Sequence, residues 1–375
     1  MMNDPVGLYL HIPFCIQKCA YCDFCSTAAY DDSVTEAYTR ALCLEIDAYQ
    51  GRNIRADTVF FGGGTPPLLG AHRLHRVLDA LYRTFSISPD AELTIEANPA
   101  TLTLPMLRDY RAWGVNRLSI GMQSLQAEEL AALGRVHGVR DFTDCLDMAR
   151  SVGFENINAD VMYGIPGQTA VSFADTLEKL LTYGLPHLSV YGLMVEPGTP
   201  FWRRRATLAL PDEDTEYGMY RLACERLGQA GYGHYEISNY AKEGYRCRHN
   251  LKYWLSAPYI GLGVAAHSYF EGRRYGHTDS LERYLACPTE AGEKERIDRH
   301  EAEKEAILLG LRLAQGIDEA DFVRRFGHPF RAGRLSLLRQ FAEGGFAVLS
   351  ETDFALTEQG MYVSNTLLAE LLAPL

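Results

Sequence analysis

Strand-like apolar runs and helical patterns alternate through about the first two hundred residues, and this alternation restricts the chain to few folds. Strand-like runs lie at 6–12, 57–61, 92–97, 117–121, 156–162 and 187–193. Helical spacing of apolar residues fills the gaps, for example at 34–42, 71–85, 127–133, 141–151 and 173–181. Ser33 and Glu36 have the spacing of a capping box at the first helix. A β-α-β-α order predicts a parallel sheet with helices outside it. Six such units exceed a lone βαβ motif and fall short of a closed eight-fold barrel. The expected class is α/β, an open, partial (βα)6 barrel over residues 1–210.

The polar residues sit in a pattern that supports a barrel. Three cysteines follow the first strand, and Gly62-Gly63-Gly64-Thr65-Pro66 follows the second. Glu96 ends the third, Gln123 follows the fourth, Asp160 lies late in the fifth, and Glu196 follows the sixth. In barrel folds the C-terminal ends of the strands form the functional face.

The rhythm breaks near residue 211. Residues 211–299 read as an extension of the barrel: a helix at 213–230, an irregular aromatic-rich stretch at 235–269, and linkers at 272–280 and 289–299. Residues 300–375 read as a small, mostly helical, winged-helix-like module with helices at 303–314, 318–326, 335–343 and 358–371. The net charge of −12 argues against broad nucleic-acid binding, which needs basic surface. Arg203-Arg204-Arg205 reads as a solvated face. No apolar run is long enough to span a bilayer, and the N-terminus does not resemble a signal peptide. Nine cysteines, four of them between positions 15 and 25, do not suit a secreted disulfide framework. The expected setting is the reducing cytoplasm.

Cys15, Cys19 and Cys22 form a C-x3-C-x2-C pattern. Three neighbouring thiolates can hold three corners of a [4Fe–4S] cluster and leave one iron open, whereas the usual cluster takes four cysteines. An all-cysteine zinc site that includes Cys25 is cramped, because structural zinc normally draws two separated pairs. A thioredoxin-like pair would need no third cysteine. The glycines after the second strand let backbone approach a ligand closely. The loop is not a phosphate-binding Walker loop, because no Gly-Lys-Ser/Thr follows.

A C-x3-C-x2-C loop after the first strand and a glycine loop after the second resemble the radical S-adenosylmethionine (SAM) superfamily. Further motifs resemble the oxygen-independent coproporphyrinogen III oxidase group and its haem-chaperone branch, HemW. They include His11-Ile-Pro-Phe-Cys15, Thr94-Ile-Glu-Ala-Asn-Pro99, Arg117–Ser124, Leu133-Gly-Arg-Val-His137, Asn158–Gln168 and Val190–Gly198. They run in order through the whole expected barrel.

The resemblance implies a [4Fe–4S] cluster on Cys15, Cys19 and Cys22, with SAM on the open iron. It implies cofactor contacts from Tyr9, Tyr21, Gly63, Gly64 and Thr65, from the polar set Glu96, Gln123, Arg135 and Asp160, and from the backbone at Met194. Carboxylates suit ribose hydroxyls, and an Arg suits a carboxylate. Any one of these alone could be a structural hydrogen bond; the set on one rim is the stronger signal.

His249-Asn-Leu-Lys-Tyr-Trp254 matches the H-N-x-x-Y-W element of the chaperone branch, and only fourteen residues precede Cys15. Both favour a haem chaperone over an active oxidase. The alternative is oxidative decarboxylation of coproporphyrinogen III to protoporphyrinogen IX by a 5′-deoxyadenosyl radical. The resemblance makes haem a third ligand, with His249 as candidate axial ligand and Cys247 and His267 as competitors. The implied partners are haem-accepting proteins, membrane-associated ones included, and no nucleic acid. A homodimer is compatible with the resemblance, though no residue argues for it. Cys25 departs from the family pattern and competes on paper for the fourth iron.

Overall fold

The computed structural model describes residues 4–373. Six parallel strands form the barrel wall: β1 (Val6–Ile12), β2 (Arg55–Gly63), β3 (Ser86–Ala97), β4 (Arg117–Gln123), β5 (Asn156–Tyr163) and β6 (His187–Gly192). They neighbour one another in sequence order, with helices in the connections. The fold is α/β, with the parallel sheet expected of a partial barrel. Leu8, Leu10, Ile12, Val59, Phe61, Leu118 and Ile120 are buried on one face of their strands, and most residues between them are buried too, as expected for strands covered on both faces.

The sheet is larger than the six-unit expectation. The stretch expected to be irregular supplies β7 (Gly233–Glu236), β8 (Asn239–Ala241), β9 (Tyr259–Leu262) and β10 (His267–Phe270). The first expected linker holds β11 (Arg273–Gly276), and the second holds β12 (Glu295–Arg296). Strand order is β12-β11-β10-β9-β1-β2-β3-β4-β5-β6-β8-β7. β9 lies parallel to β1, so seven strands run in one direction. These added strands have two to four residues each, too few for a period-two pattern to stand out.

The first helix, Asp32–Asp47, departs from the expected capping box. Asp31 is the cap and accepts from the Val34 amide at 3.0 Å, while Glu36 pairs with Arg73 and Arg76. A shorter charge had already satisfied the helix end.

The C-terminal region has its own apolar cluster, including Ile307, Phe322, Phe330, Leu338, Phe354 and Leu368. Helices Arg299–Gly310, Glu319–Phe326 and Leu335–Glu343 pack with a three-stranded sheet of β13 (Ile317–Asp318), β14 (Ala347–Leu349) and β15 (Asp353–Leu356). The expected last helix is divided into Glu358–Tyr362 and Ser364–Leu372. No helix among the described residues is long and apolar enough to cross a membrane.

One buried carboxylate fastens the His249 segment to the barrel. The helix Arg248–Trp254 has no side-chain cap of its own at Cys247. Glu92, on β3, takes that role from across the fold. Its Oε2 accepts from the Arg248 amide at 3.0 Å, and its Oε1 accepts from the His249 amide at 3.1 Å. Charge-assisted hydrogen bonds to helix-end amides contribute about 1.5–3 kcal/mol. Glu92→Ala should therefore lower unfolding free energy by about 2–3 kcal/mol in denaturant titrations.

Candidate functional site

The cysteine loop leaves β1 at Pro13 and is closed at its base by two backbone hydrogen bonds. The Cys15 amide donates to Thr27 at 2.9 Å, and the Thr27 amide donates to Pro13 at 2.7 Å. Its middle is tied to two other rim segments. The Ala20 amide donates to Leu133, and the Phe201 amide donates to Ala20. The loop thus presents its thiols to the barrel mouth with little freedom of its own.

A cavity of about 400 Å³ lies at that mouth. Cys15, Cys19 and Cys22 line it, together with Tyr21, Gly63, Gly64, Thr65, Glu96, Gln123, Arg135, Asp160 and Met194. The fold therefore gathers twelve of the fourteen residues singled out from the sequence. Tyr9 and His249 are the exceptions. They face a second, inner chamber of about 240 Å³, which shares Phe24, Gly63, Glu96, Ser119 and Asp160 with the first.

The three thiols are free and line one cavity, a donor set whose chemistry suits a cluster. None of the nine cysteines is in a disulfide. Thr65 Oγ1 donates to Cys15 Sγ at 3.9 Å, and Arg135 Nη1 donates to Cys19 Sγ at 3.4 Å. Cys15, Cys19 and Cys22 do not close on a common point tightly enough for one ion; among the described residues only Cys224, His234 and Glu358 do so, within 4.8 Å. A cubane holds its thiolates farther apart than a single ion does. Cys25 is absent from the cavity lining, and its thiol donates to the Asp279 carbonyl at 3.4 Å. The fourth cysteine therefore faces away from the other three.

The glycine loop owes its shape to what lies beneath it. Gly63 has φ +104°, and a Cβ there would meet the His11 ring at 2.5 Å. At Gly64 a Cβ would lie 2.6 Å from the Phe14 carbonyl oxygen and 2.9 Å from that of Ile12. Only glycine lets this strand end pass so close to the base of the cysteine loop.

The polar set is largely buried. The Glu96 carboxylate accepts from the Gly63 amide at 3.2 Å. Burial, then the nearby Asp160, pushes its carboxyl up to about 8. Burial raises Asp160 as well, although Asn158 donates to it at 2.7 Å. Arg135 donates to the Gly121 carbonyl at 2.6 Å, which leaves its Nε unpartnered. Gln123 stands at φ +72°, a conformation rare outside glycine, and Tyr191 donates to its Oε1 at 2.8 Å. Such strain persists only where surroundings enforce it.

His249 is 1% exposed. Its Nδ1 shares a hydrogen bond with Thr58 Oγ1 at 2.8 Å, and its Nε2 shares one with Tyr253 OH at 2.9 Å. Burial, then Lys252, holds the imidazole down at about 3, so it is neutral. Cys247 is buried with its thiol directed at Glu92, and His267 is exposed at the start of β10.

Arg117, Ser119, Asn158 and Tyr191 also reach these cavities and were not singled out. The period-two alternation of β4 carried the signal, since 117, 119, 121 and 123 share one face.

Fold and site together define the class of radical SAM barrels. The Radical SAM superfamily model matches residues 9–180, and the HemN C-terminal domain model matches 297–363. The haem chaperone HemW of Bacillus subtilis is 36% identical over 377 residues, covering 98% of this chain and 99% of its own. That of Escherichia coli is 35% identical and covers 98% of each chain, and that of Synechocystis sp. is 40% identical over 84% and 79%. The chain belongs to the HemW family of radical SAM proteins. The crystal structure of the Escherichia coli coproporphyrinogen III oxidase HemN superposes with a TM-score of 0.87, covering 99% of this chain and 91% of that one. At 24% identity that likeness concerns the fold.

Replacing Cys15, Cys19 or Cys22 with Ala should abolish the near-400 nm iron–sulfur absorption after anaerobic reconstitution. Cys25→Ala should retain it; its loss would point to a fourth thiolate. Gly64→Ala should sharply lower iron content, because backbone must shift to admit the methyl. Gly218→Ala, in a helix where the added carbon meets nothing within 4 Å beyond the helix's own backbone, should keep full iron content and gain up to about 1 kcal/mol.

Proposed function

We propose that this chain is a haem chaperone, which holds a [4Fe–4S] cluster and SAM at the barrel mouth and passes haem to haem-dependent respiratory proteins. The observation that carries this reading is similarity over 98% of the chain to relatives named for haem chaperoning. In this reading Cys15, Cys19 and Cys22 hold three irons. Gly63, Gly64 and Thr65 offer backbone and hydroxyl groups to the methionyl end of SAM. Glu96, Gln123, Arg135 and Asp160 take its charged and ribose groups, with Tyr21 and the Met194 backbone beside them. When bound, the cluster and SAM supply one-electron chemistry. The chain's own contribution is to orient them, and to exclude water by surrounding the rim with buried walls.

Tyr9 and His249 contribute from the inner chamber. To serve as axial ligand, His249 would give up its hydrogen bond to Tyr253. Its neutral imidazole is the form that binds iron. Membrane-associated haem proteins are the proposed recipients, with a second copy of the chain as a further partner.

The test offers haem and coproporphyrinogen III separately to the anaerobically reconstituted protein with SAM. Haem should bind with a shifted Soret band, and coproporphyrinogen III should remain unchanged. Formation of protoporphyrinogen IX would overturn the chaperone reading in favour of an oxidase. His249→Ala should weaken haem binding on the order of tenfold, about 1.4 kcal/mol, with the iron–sulfur absorption intact. Unchanged affinity would remove His249 as ligand.

A further inference from the structure

The inner chamber contains a charge that the cofactor site does not use. Arg117 opens β4, is 2% exposed, and lines this chamber. Among the described residues no carboxylate lies within ion-pair distance of it and its Nε has no hydrogen-bond partner; burial opposes its charge, and the more distant Cys247, Glu92 and Asp160 offset that. Removing a charged side chain from water without a fixed partner is costly, so such a group marks a place where an anion is received.

The nearby acids are already engaged. Both oxygens of Glu92 accept amides from the helix Arg248–Trp254, and Cys247 adds its thiol at 3.5 Å. Asp160 accepts from Asn158. Glu96, on the wall shared with the main cavity, accepts from the Gly63 amide. Burial raises both Glu96 and Asp160, which weakens their opposition to an entering anion. Around Arg117 the chamber offers uncharged polar groups: Ser119, Asn158, Ser189 and Tyr253. At about 240 Å³ it falls below the roughly 300–1,000 Å³ of pockets for drug-sized ligands. It suits a small acid, or one arm of a larger molecule that enters it only in part.

We propose that the inner chamber is a carboxylate-binding site, in which the Arg117 guanidinium receives an aliphatic carboxylate of about propionate size. The planar fork of Arg matches two carboxylate oxygens, which a point charge does not. The carboxylate belongs either to a free small acid or to a side arm of a tetrapyrrole. The inference does not depend on haem binding, since a free acid tests it alone.

The experiment is ligand-observed NMR titration of the reconstituted protein with propionate and, separately, propionamide. Propionate should bind saturably and propionamide at least about tenfold more weakly, as expected for a charge-assisted pair worth about 1.4 kcal/mol or more. Arg117→Gln should lose propionate binding, and Arg117→Lys should weaken it several-fold, with circular dichroism and iron–sulfur absorption as checks on folding. If Arg117→Gln does not fold, the Lys variant and the propionate–propionamide contrast decide. Displacement of propionate by haem but not by haem dimethyl ester would assign the arm of a tetrapyrrole. Displacement by neither would assign a free acid. Absence of saturable propionate binding, equal binding of the amide, wild-type affinity in the Lys and Gln variants, or displacement by haem and its dimethyl ester alike would overturn the proposal.

Discussion

Strand β1 is the piece on which the rest depends. It pairs in parallel with β2 on one side and β9 on the other, so chain from the two ends of the barrel region meets there. Parallel pairing forces each strand to finish at the same rim, and the loops that carry cysteines and glycines become neighbours without any direct search for one another. The register Ile12↔Gly63 sets the cysteine loop directly beside the glycine loop. At that junction the absence of a side chain at Gly64 admits the Ile12 and Phe14 carbonyls. One backbone pairing thus assembles two loops into one site.

The barrel interior poses the opposite problem. A sheet buried on both faces normally excludes charge, yet Glu92, Glu96, Arg117 and Asp160 all lie inside. Each carboxylate is compensated locally. Glu92 caps a helix, Glu96 accepts from the backbone of the glycine loop, and Asp160 accepts from Asn158. The neutral His249 belongs to the same arrangement, braced between Thr58 and Tyr253. Among the described residues Arg117 has no hydrogen-bond or ion-pair partner of its own, and only the more distant charges of Cys247, Glu92 and Asp160 offset its burial.

Much of the rim was legible in the sequence. Period-two strands and the fixed direction of parallel βα units place residues after successive strands on one face, so Glu96, Gln123 and Asp160 could be assigned to a common rim without coordinates. The inner chamber was less legible. Tyr9 and His249 were grouped by family pattern, and nothing in that pattern separates them from the main cavity. The short strands β7 to β12 escaped notice for a different reason. Several pair with near neighbours, β7 with β8 and β10 with β11, but each has only two to four residues and carries little periodic signal.

By itself the sequence determined the parallel α/β class, the three-thiol loop and the rim order, because these follow from local periodicity and from residue chemistry at short spacing. Only the tertiary structure decided that Cys25 turns to Asp279, that His249 has both ring nitrogens engaged, and that Arg117 stands unpaired beside a chamber. The Cys25 contact and one of the two at His249 join segments more than one hundred residues apart, while Tyr253 lies one helical turn from His249. Local sequence encodes which side of a strand a residue takes; it does not encode which distant group meets it there.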